Sequence, residues 1–273
     1  RDGEVLIVDK FTGRVLGGRR FQDGLHQAIE AKENVEIKTE NSVLATTTYQ
    51  NLFKKFKLLS GMTGTAIESV KEFHFIYNTN VEVIPTNKPV IREDKPDIMF
   101  KDKESKYEYL VELVKERHSK GQPILIGTTS VKESEEVVSV LEKHKLPYNL
   151  LNAKNDKNEA KIVAKAGEKG AITIATNMAG RGTDIKITKE VEELGGLLVI
   201  GVSRNEALRI DRQLRGRSGR QGEAGESIFL TSLEDDLFLL NKTLEFEKFK
   251  KKAKKFPITD KIATKVVDNV QKS

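Results

Sequence analysis

The chain has 273 residues, with 47 Lys+Arg against 41 Asp+Glu and a formal charge of +6. That length holds one large domain or two smaller ones and excludes a stapled mini-protein. Cysteine is absent and the four histidines (His26, His74, His118 and His144) are scattered, which excludes a disulfide framework and a cysteine nucleophile and gives zinc no motif.

The chain begins at Arg1 and enters a strand-like run, Glu4–Asp9, at once. No stretch of about 18 apolar residues occurs anywhere, so the sequence reads as a non-spanning piece of a longer protein. A Gly/Arg-rich turn follows (Thr12-Gly13-Arg14 to Gly17-Gly18-Arg19-Arg20), then a short helix over Leu25–Lys32. Residues 1–49 therefore look like the close of some other domain. Further on, β-branched runs predict strands at Val81–Ile84, Pro123–Gly127, Tyr148–Leu151, Ala171–Ala175, Leu197–Gly201 and Ser227–Leu230. Between them lie amphipathic helices. Ser105–His118 carries Tyr109, Leu110, Leu113 and Val114 on one stripe, and Glu133–Lys143 carries Val137, Val138 and Leu141.

Strands alternating with such helices are the signature of βαβ units about a parallel sheet, and they predict an open α/β domain over residues 84–240. Pro85, Pro89 and Pro96 make 86–97 a connector that cannot sustain a helix or an interior strand. Lys242–Lys255 holds seven lysines against two glutamates. After Pro257 a helical pattern (Ile258, Ile262, Val266, Val267, Val270) carries an apolar stripe with no evident partner in the chain.

Two segments carry chemistry. In Thr176-Asn177-Met178-Ala179-Gly180-Arg181-Gly182-Thr183-Asp184 a strand ends and passes into a loop with two glycines, the place where open α/β sheets bind ligands. Asp184 can accept from a ribose hydroxyl or fix an arginine. In Gln213-Leu214-Arg215-Gly216-Arg217-Ser218-Gly219-Arg220 two forked guanidiniums lie three residues apart, on one face if the stretch is helical. Arginines so placed suit the equatorial oxygens of a transferring phosphoryl group. Taken singly, a Gly-Arg-Gly turn is more often only a turn, and helical arginines are more often solvated or paired. Both segments in this order, one strand-helix unit apart, form a specific signal.

The combination resembles motifs V and VI of the superfamily 2 helicase-type motor ATPases. Asp9-x-Phe11-Thr12-Gly13-Arg14, Gly24–Glu33, Tyr49-Gln50-Asn51, Gly61-Met62-Thr63-Gly64-Thr65-Ala66, Leu151-Asn152-Ala153-Lys154 and Ser232–Leu237 narrow it, because together they resemble the SecA family of preprotein translocase motors. The resemblance implies a RecA-like parallel sheet of the P-loop NTPase superfamily, flanked by parts of neighbouring domains. Residues 1–49 would close the preprotein cross-linking domain, and 50–83 would end the first nucleotide-binding domain with its motif III. Residues 84–240 would be the second nucleotide-binding domain, and 241–273 would open the helical scaffold. Arg217 and Arg220 would be the motif VI arginines at the γ-phosphate, with Gln213 beginning that motif. Asp184, Gly182 and Arg181 would form the nucleotide-contacting motif V, and Thr63 and Thr65 would relay nucleotide state between domains.

The family also implies ATP with Mg²⁺, preprotein substrates, a SecYEG-type membrane channel, a full-length homodimer, and a cytoplasmic location at the inner face of the membrane. No Gly-Lys and no Asp-Glu dipeptide occurs in the chain, so Walker A and Walker B are missing. ATP and Mg²⁺ would be held mainly by the first nucleotide-binding domain, and this stretch alone is expected to be inactive. The segment Val202–Asp211 departs from the sequence common in the family, which points to its accessory paralogue. The lysine run reads as a solvated helix face, with an anionic membrane surface as the alternative partner. Aromatic residues make up 6% of the chain without RNP-like interleaving, so no nucleic acid is expected. The competing reading is the second RecA-like domain of a superfamily 2 nucleic-acid helicase.

Overall fold

The computed structural model describes residues 3–9, 15–39, 45–151, 159–176, 179–180, 182–241, 244–253, 255–259 and 261–272. Phe11–Arg14, Asn152–Lys154, Asn177, Met178 and Arg181, all singled out in the sequence, lie outside them. The chain forms two compact units, Arg1–Val83 and Ile84–Ser273.

In the first unit, α1 (Leu25–Lys32) starts after Gly24, whose φ of 75° is left-handed, and buries His26 and Glu30. Glu30 accepts from Arg20 Nη2 at 2.8 Å and from Lys38 N at 3.2 Å, fastening the segments on either side of the helix. Next come α2 (Tyr49–Phe53), N-capped by the Thr48 hydroxyl, and a 3₁₀ turn, Ala66–Ser69, that runs into α3 (Val70–Tyr77). Two expected strands do not form here. Within Glu4–Asp9 only Val8 bridges, to Val15, and Val81–Ile84 is irregular. Val83 and Ile84 are largely exposed, so their β-branched side chains lack the half-buried surface that makes such residues strand formers.

Among the described residues the second unit is built on seven strands: β1 (Glu93–Asp94), β2 (Ile98–Phe100), β3 (Ile124–Thr128), β4 (Asn149–Leu151), β5 (Ile172–Thr176), β6 (Leu197–Gly201) and β7 (Gly225–Ser232). Their order is β1-β7-β6-β3-β5-β4, with β2 also on β7, and every pair is parallel. The helices are α4 (Lys103–Ser119), α5 (Val131–Lys143), α6 (Glu159–Lys165), α7 (Lys189–Glu193), α8 (Leu208–Arg215), α9 (Asp236–Leu240), α10 (Leu244–Lys252) and α11 (Lys261–Lys272). Every residue of β3, β5 and β6 is buried, as a sheet covered on both faces requires.

Alternation sorts the strands' side chains between two cores. Ile124, Ile126, Ile172, Ile174, Leu198 and Ile200 pack with Leu110 and Val114 of α4 and Val137 and Leu141 of α5. Leu125, Ala175, Leu197 and Val199 face the other way, toward Val163, Ala166, Ile185 and Leu214. The connector expected over 86–97 contains β1. Its two charged residues pair with Glu226 and Ser227 at the sheet edge, where a neighbouring proline is tolerated. The apolar stripe expected to lack a partner has one. Ala263, Val267 and Val270 of α11 are buried against Met99 of β2, Leu233, Leu237, Phe238 and Phe246, while Ile262 of the predicted stripe is exposed.

The starts of α4 and α5 are fixed by side-chain caps. Asp102 accepts from Ser105 N at 2.9 Å at the start of α4. At α5, Ser130 accepts from Glu133 N at 3.2 Å while Glu133 accepts from Thr129 N at 2.7 Å, a reciprocal arrangement close to a capping box. On α4, Lys106 occupies a core-facing position. Its ammonium is fully buried, donating to Val202 O at 2.8 Å, Ser203 Oγ at 3.2 Å and Asp235 at 2.6 Å. A buried ammonium so paired joins α4 to the ends of β6 and β7.

Candidate functional site

The site lies where the loop after β5 meets the segment after α8. Beyond Thr176 the loop tightens, with Ala179 N donating to Thr176 O at 2.9 Å and Thr183 N to Gly180 O at 3.2 Å. Gly180 has φ 69° and is closely packed: a Cβ there would come to 2.7 Å from Val163. Ile185, buried against the sheet, anchors the far end of the loop.

The arginine segment does not continue α8. The helix stops at Arg215, Gly216 caps it, and Gly219 turns the chain with φ 65° into a short 3₁₀ turn over Arg220–Gly222. Consequently Arg217 and Arg220 do not share a helix face, as their spacing would give in a helix; they point to different partners. Arg217 reaches across to the loop and donates to the main-chain carbonyls of Gly180, Thr183 and Ala179, the last two at 3.2 and 3.3 Å. Arg220 donates Nε–H to Gly216 O at 2.7 Å and Nη1–H to Asp184 Oδ1 at 2.7 Å. That ion pair is exposed, at 43% for Arg220 and 50% for Asp184.

Of the residues expected to act together, Arg217, Arg220, Asp184 and Gly182 are thus adjacent, with Gly182 exposed at φ 86°. Gln213 is half-buried on α8. Thr63 and Thr65 belong to the first unit, where Thr65 N donates to Thr63 Oγ1 at 3.3 Å.

Several supporting residues carried no motif. Arg92 grips Asp94 through Nε at 2.7 Å and Nη2 at 3.0 Å and donates Nη1–H to Ser218 O at 3.0 Å, between the two arginines. Ser218 is itself tied to Leu197 O at 2.6 Å. Beneath α8, Arg204 is buried and bidentate on Asp97, at 2.8 and 3.2 Å, and reaches Asp211 at 3.0 Å. Its guanidinium and that of Arg215 lie 4.6 and 4.7 Å from the Phe229 ring centre, within cation–π range. Burial works against the charge on Arg204, but Asp97 and Asp211 more than offset it and raise its pKa. The same burial pushes the Asp97 carboxyl up. Both its oxygens are bonded by the guanidinium, which favours the ionised form of the pair.

The family model described as the SecA P-loop domain matches residues 89–193 and 187–260, and that of the SecA DEAD-like domain matches 8–74. The chain belongs to the SecA family. The protein translocase subunit SecA of Thermosipho melanesiensis is 55% identical over 274 residues, covering 99% of this chain and 32% of that relative. The SecA subunit of Mycoplasma capricolum subsp. capricolum is 56% identical over 275 residues, covering 100% of this chain and 29% of the relative. The chain therefore spans about a third of the length of the curated SecA proteins it matches. Among solved structures, the yeast DEAD-box splicing factor Prp28 aligns over 78% of this chain and 44% of its own, at 18% identity and a TM-score of 0.46, too low to argue from. The RecA-like α/β assignment rests on the parallel sheet and the SecA P-loop match.

Proposed function

We propose that this stretch supplies the arginine half of an interdomain ATP site in a SecA protein-translocating motor. The observation that carries the reading is the pairing of the loop after β5 with the arginine segment, fastened from one side by Arg217 and left open at the Arg220–Asp184 pair. An exposed ion pair is worth only about 0.2–1 kcal/mol, whereas guanidinium-to-phosphate bonds are charge-assisted and bidentate. Arg220 can therefore exchange the Asp184 carboxylate for phosphate oxygens at little cost. Arg217, committed to three carbonyls, holds the loop that presents Asp184 and Gly182.

Bound ATP supplies the phosphoryl group whose transfer to water drives the motor. Arg220 would offer N–H donors where negative charge grows, and Asp184, released from it, would accept from the ribose. The described residues gather no group of three His, Cys, Asp or Glu side chains that could hold a metal ion. In this reading Mg²⁺ is held by a first nucleotide-binding domain with the Walker motifs. Residues 1–49 close the preprotein cross-linking domain, 50–83 end the first nucleotide-binding domain with Thr63 and Thr65 as its coupling residues, 84–240 form the second, and 241–273 open the scaffold. The whole motor would work as a homodimer on preproteins at a SecYEG-type channel on the cytoplasmic face of the membrane.

Steady-state ATP hydrolysis by the full-length protein tests this. Arg220→Ala is expected to lower kcat by about a thousandfold, the scale of a lost arginine finger. The 273-residue stretch alone is expected to show no turnover; turnover by it, abolished by Arg217→Ala, would overturn the reading.

A further inference from the structure

The helix that leads into the arginines is held down in an unusual way. Asp211 is the one fully buried residue of α8, so beside the packing of Leu214 this helix is anchored by a carboxylate. Asp211 Oδ1 accepts from Asn205 N at 3.0 Å and Asn205 Nδ2 at 2.8 Å, and Oδ2 accepts from Arg204 at 3.0 Å. One further donor comes from far along the chain. Gln271, on α11, gives its Nε2 hydrogens to Asp211 Oδ2 and to Asn205 O, both at 2.6 Å.

Gln271 does not act by itself on that helix. Thr264, Asp268 and Gln271 stand at spacings of four and three residues, a single stripe on α11, and all three face the buried network. The Thr264 hydroxyl accepts from Asp97 N at 3.0 Å, Asp268 lies 3.7 Å from Arg204, and Gln271 closes the set on Asp211. The adjoining stripe, Ala263, Val267 and Val270, packs into the apolar cluster with Met99 and Phe238. Thus α11 presents apolar side chains to one part of the domain and polar ones to the anchor of α8.

We propose that Gln271 is a positioning residue for the arginine segment, acting through the Asp211 carboxylate. The path is short: Gln271 to Asp211, four residues along α8 to Arg215 on Phe229, then Gly216 and Arg217. Leu214 packs on the sheet side of α8, but that contact is non-directional; the direction of the buried carboxylate sets where the helix ends. That end sets where Arg217 and Arg220 emerge. Any movement of α11 would thereby be felt at the arginines.

The inference rests on Arg220 facing nucleotide, and the experiment separates the two. ATP hydrolysis is measured for the full-length protein and its Arg220→Ala, Gln271→Met, Gln271→Ala and Lys265→Met variants. Gln271→Met keeps the length and packing of the side chain and removes only the amide. Both Gln271 variants are expected to lower kcat by about tenfold with KM for ATP within about twofold, since misplacing a catalytic group by a fraction of an ångström costs rate on this scale. The exposed Lys265→Met should match the parent. If Gln271→Met keeps kcat within twofold of the parent, or raises it, while Arg220→Ala is inactive, the positioning role is overturned and the arginine half-site stands. If Arg220→Ala retains full turnover, both fall.

Discussion

Within one domain, two sets of helices are held to the sheet by opposite means. α4 and α5 present Leu110, Val114, Val137 and Leu141 to the strands, each fully or almost fully buried. α8 presents Asp211, held by Arg204, Asn205 and Gln271. Apolar packing is non-directional, so a helix held that way tolerates exchange of one aliphatic for another. A carboxylate held by donors from two segments fixes direction as well as depth, and it fails sharply when a donor is lost. The domain thus uses apolar contact where it needs bulk stability and charge where the chain must deliver arginines to a point.

Removing the centre of the polar anchor should have the largest effect on stability. Arg204→Ala leaves Asp97 and Asp211 buried without their shared cation, and urea denaturation should show a loss of about 3–5 kcal/mol. Arg204→Lys should recover little of it, because a lysine cannot bond Asp97 bidentately and stack on Phe229 together. An apolar truncation, Leu110→Ala, is expected to cost about 2–5 kcal/mol while sparing ATP turnover in whatever protein remains folded. If Arg204→Ala proves milder than an aliphatic exchange such as Val137→Ile, the contrast between the two anchors is wrong.

A smaller effect should come from Gly127, on β3 beneath α8. A Cβ there would lie 2.4 Å from Leu214 Cδ2, so Gly127→Ala should cost about 1–3 kcal/mol through overpacking. The strain bears on α8 directly, so kcat should fall more than in a core variant of equal stability.

The smallest effect is pH-dependent and belongs to the sheet edge. Glu226 is partly buried, which raises its pKa, but the Lys95 hydrogen bond and the charges of Arg117 and Lys95 outweigh this and leave it lowered. A carboxylate whose folded pKa is lowered contributes stability above its unfolded value, about 4.3, and loses that contribution as pH falls through the folded value. The urea midpoint should therefore drop on acidification below about pH 4.3, and Glu226→Gln should flatten that part of the profile. A midpoint that rises on acidification in the parent protein would contradict the sign.

The same contrast explains what could be read from the amino acids. β3, β5 and β6 were legible to within a residue, because runs such as Ile124-Leu125-Ile126 have few alternatives to a buried strand. β1 was not, since Glu93 and Asp94 have no strand preference and are held by β7 and Arg92. The two loops of the site were legible from their glycines and arginines, but the separate directions of Arg217 and Arg220 depend on the left-handed turn at Gly219. The anchor of α8 was hidden because, beyond the nearby Arg204 and Asn205, it is completed by Gln271, 60 residues from Asp211, and by Asp97, 107 residues from Arg204, and polar side chains impose no period on the sequence. One sign of it was available: Thr264, Asp268 and Gln271 form a polar line directly beside the Ala263, Val267 and Val270 stripe of α11. Lys106, in line with Leu110 and Val114 on α4, gave the same kind of sign.

That lysine has a chemical consequence of its own. Its amine is wholly enclosed, with Val202 O, Ser203 Oγ and Asp235 around it, so no acylating reagent reaches it while α4 stays docked. An exposed amine such as that of Lys120 needs no such opening to react. Labelling at Lys106 should instead proceed only as fast as this part of the domain opens, which makes a single side chain a clock for the unfolding of the sheet it fastens.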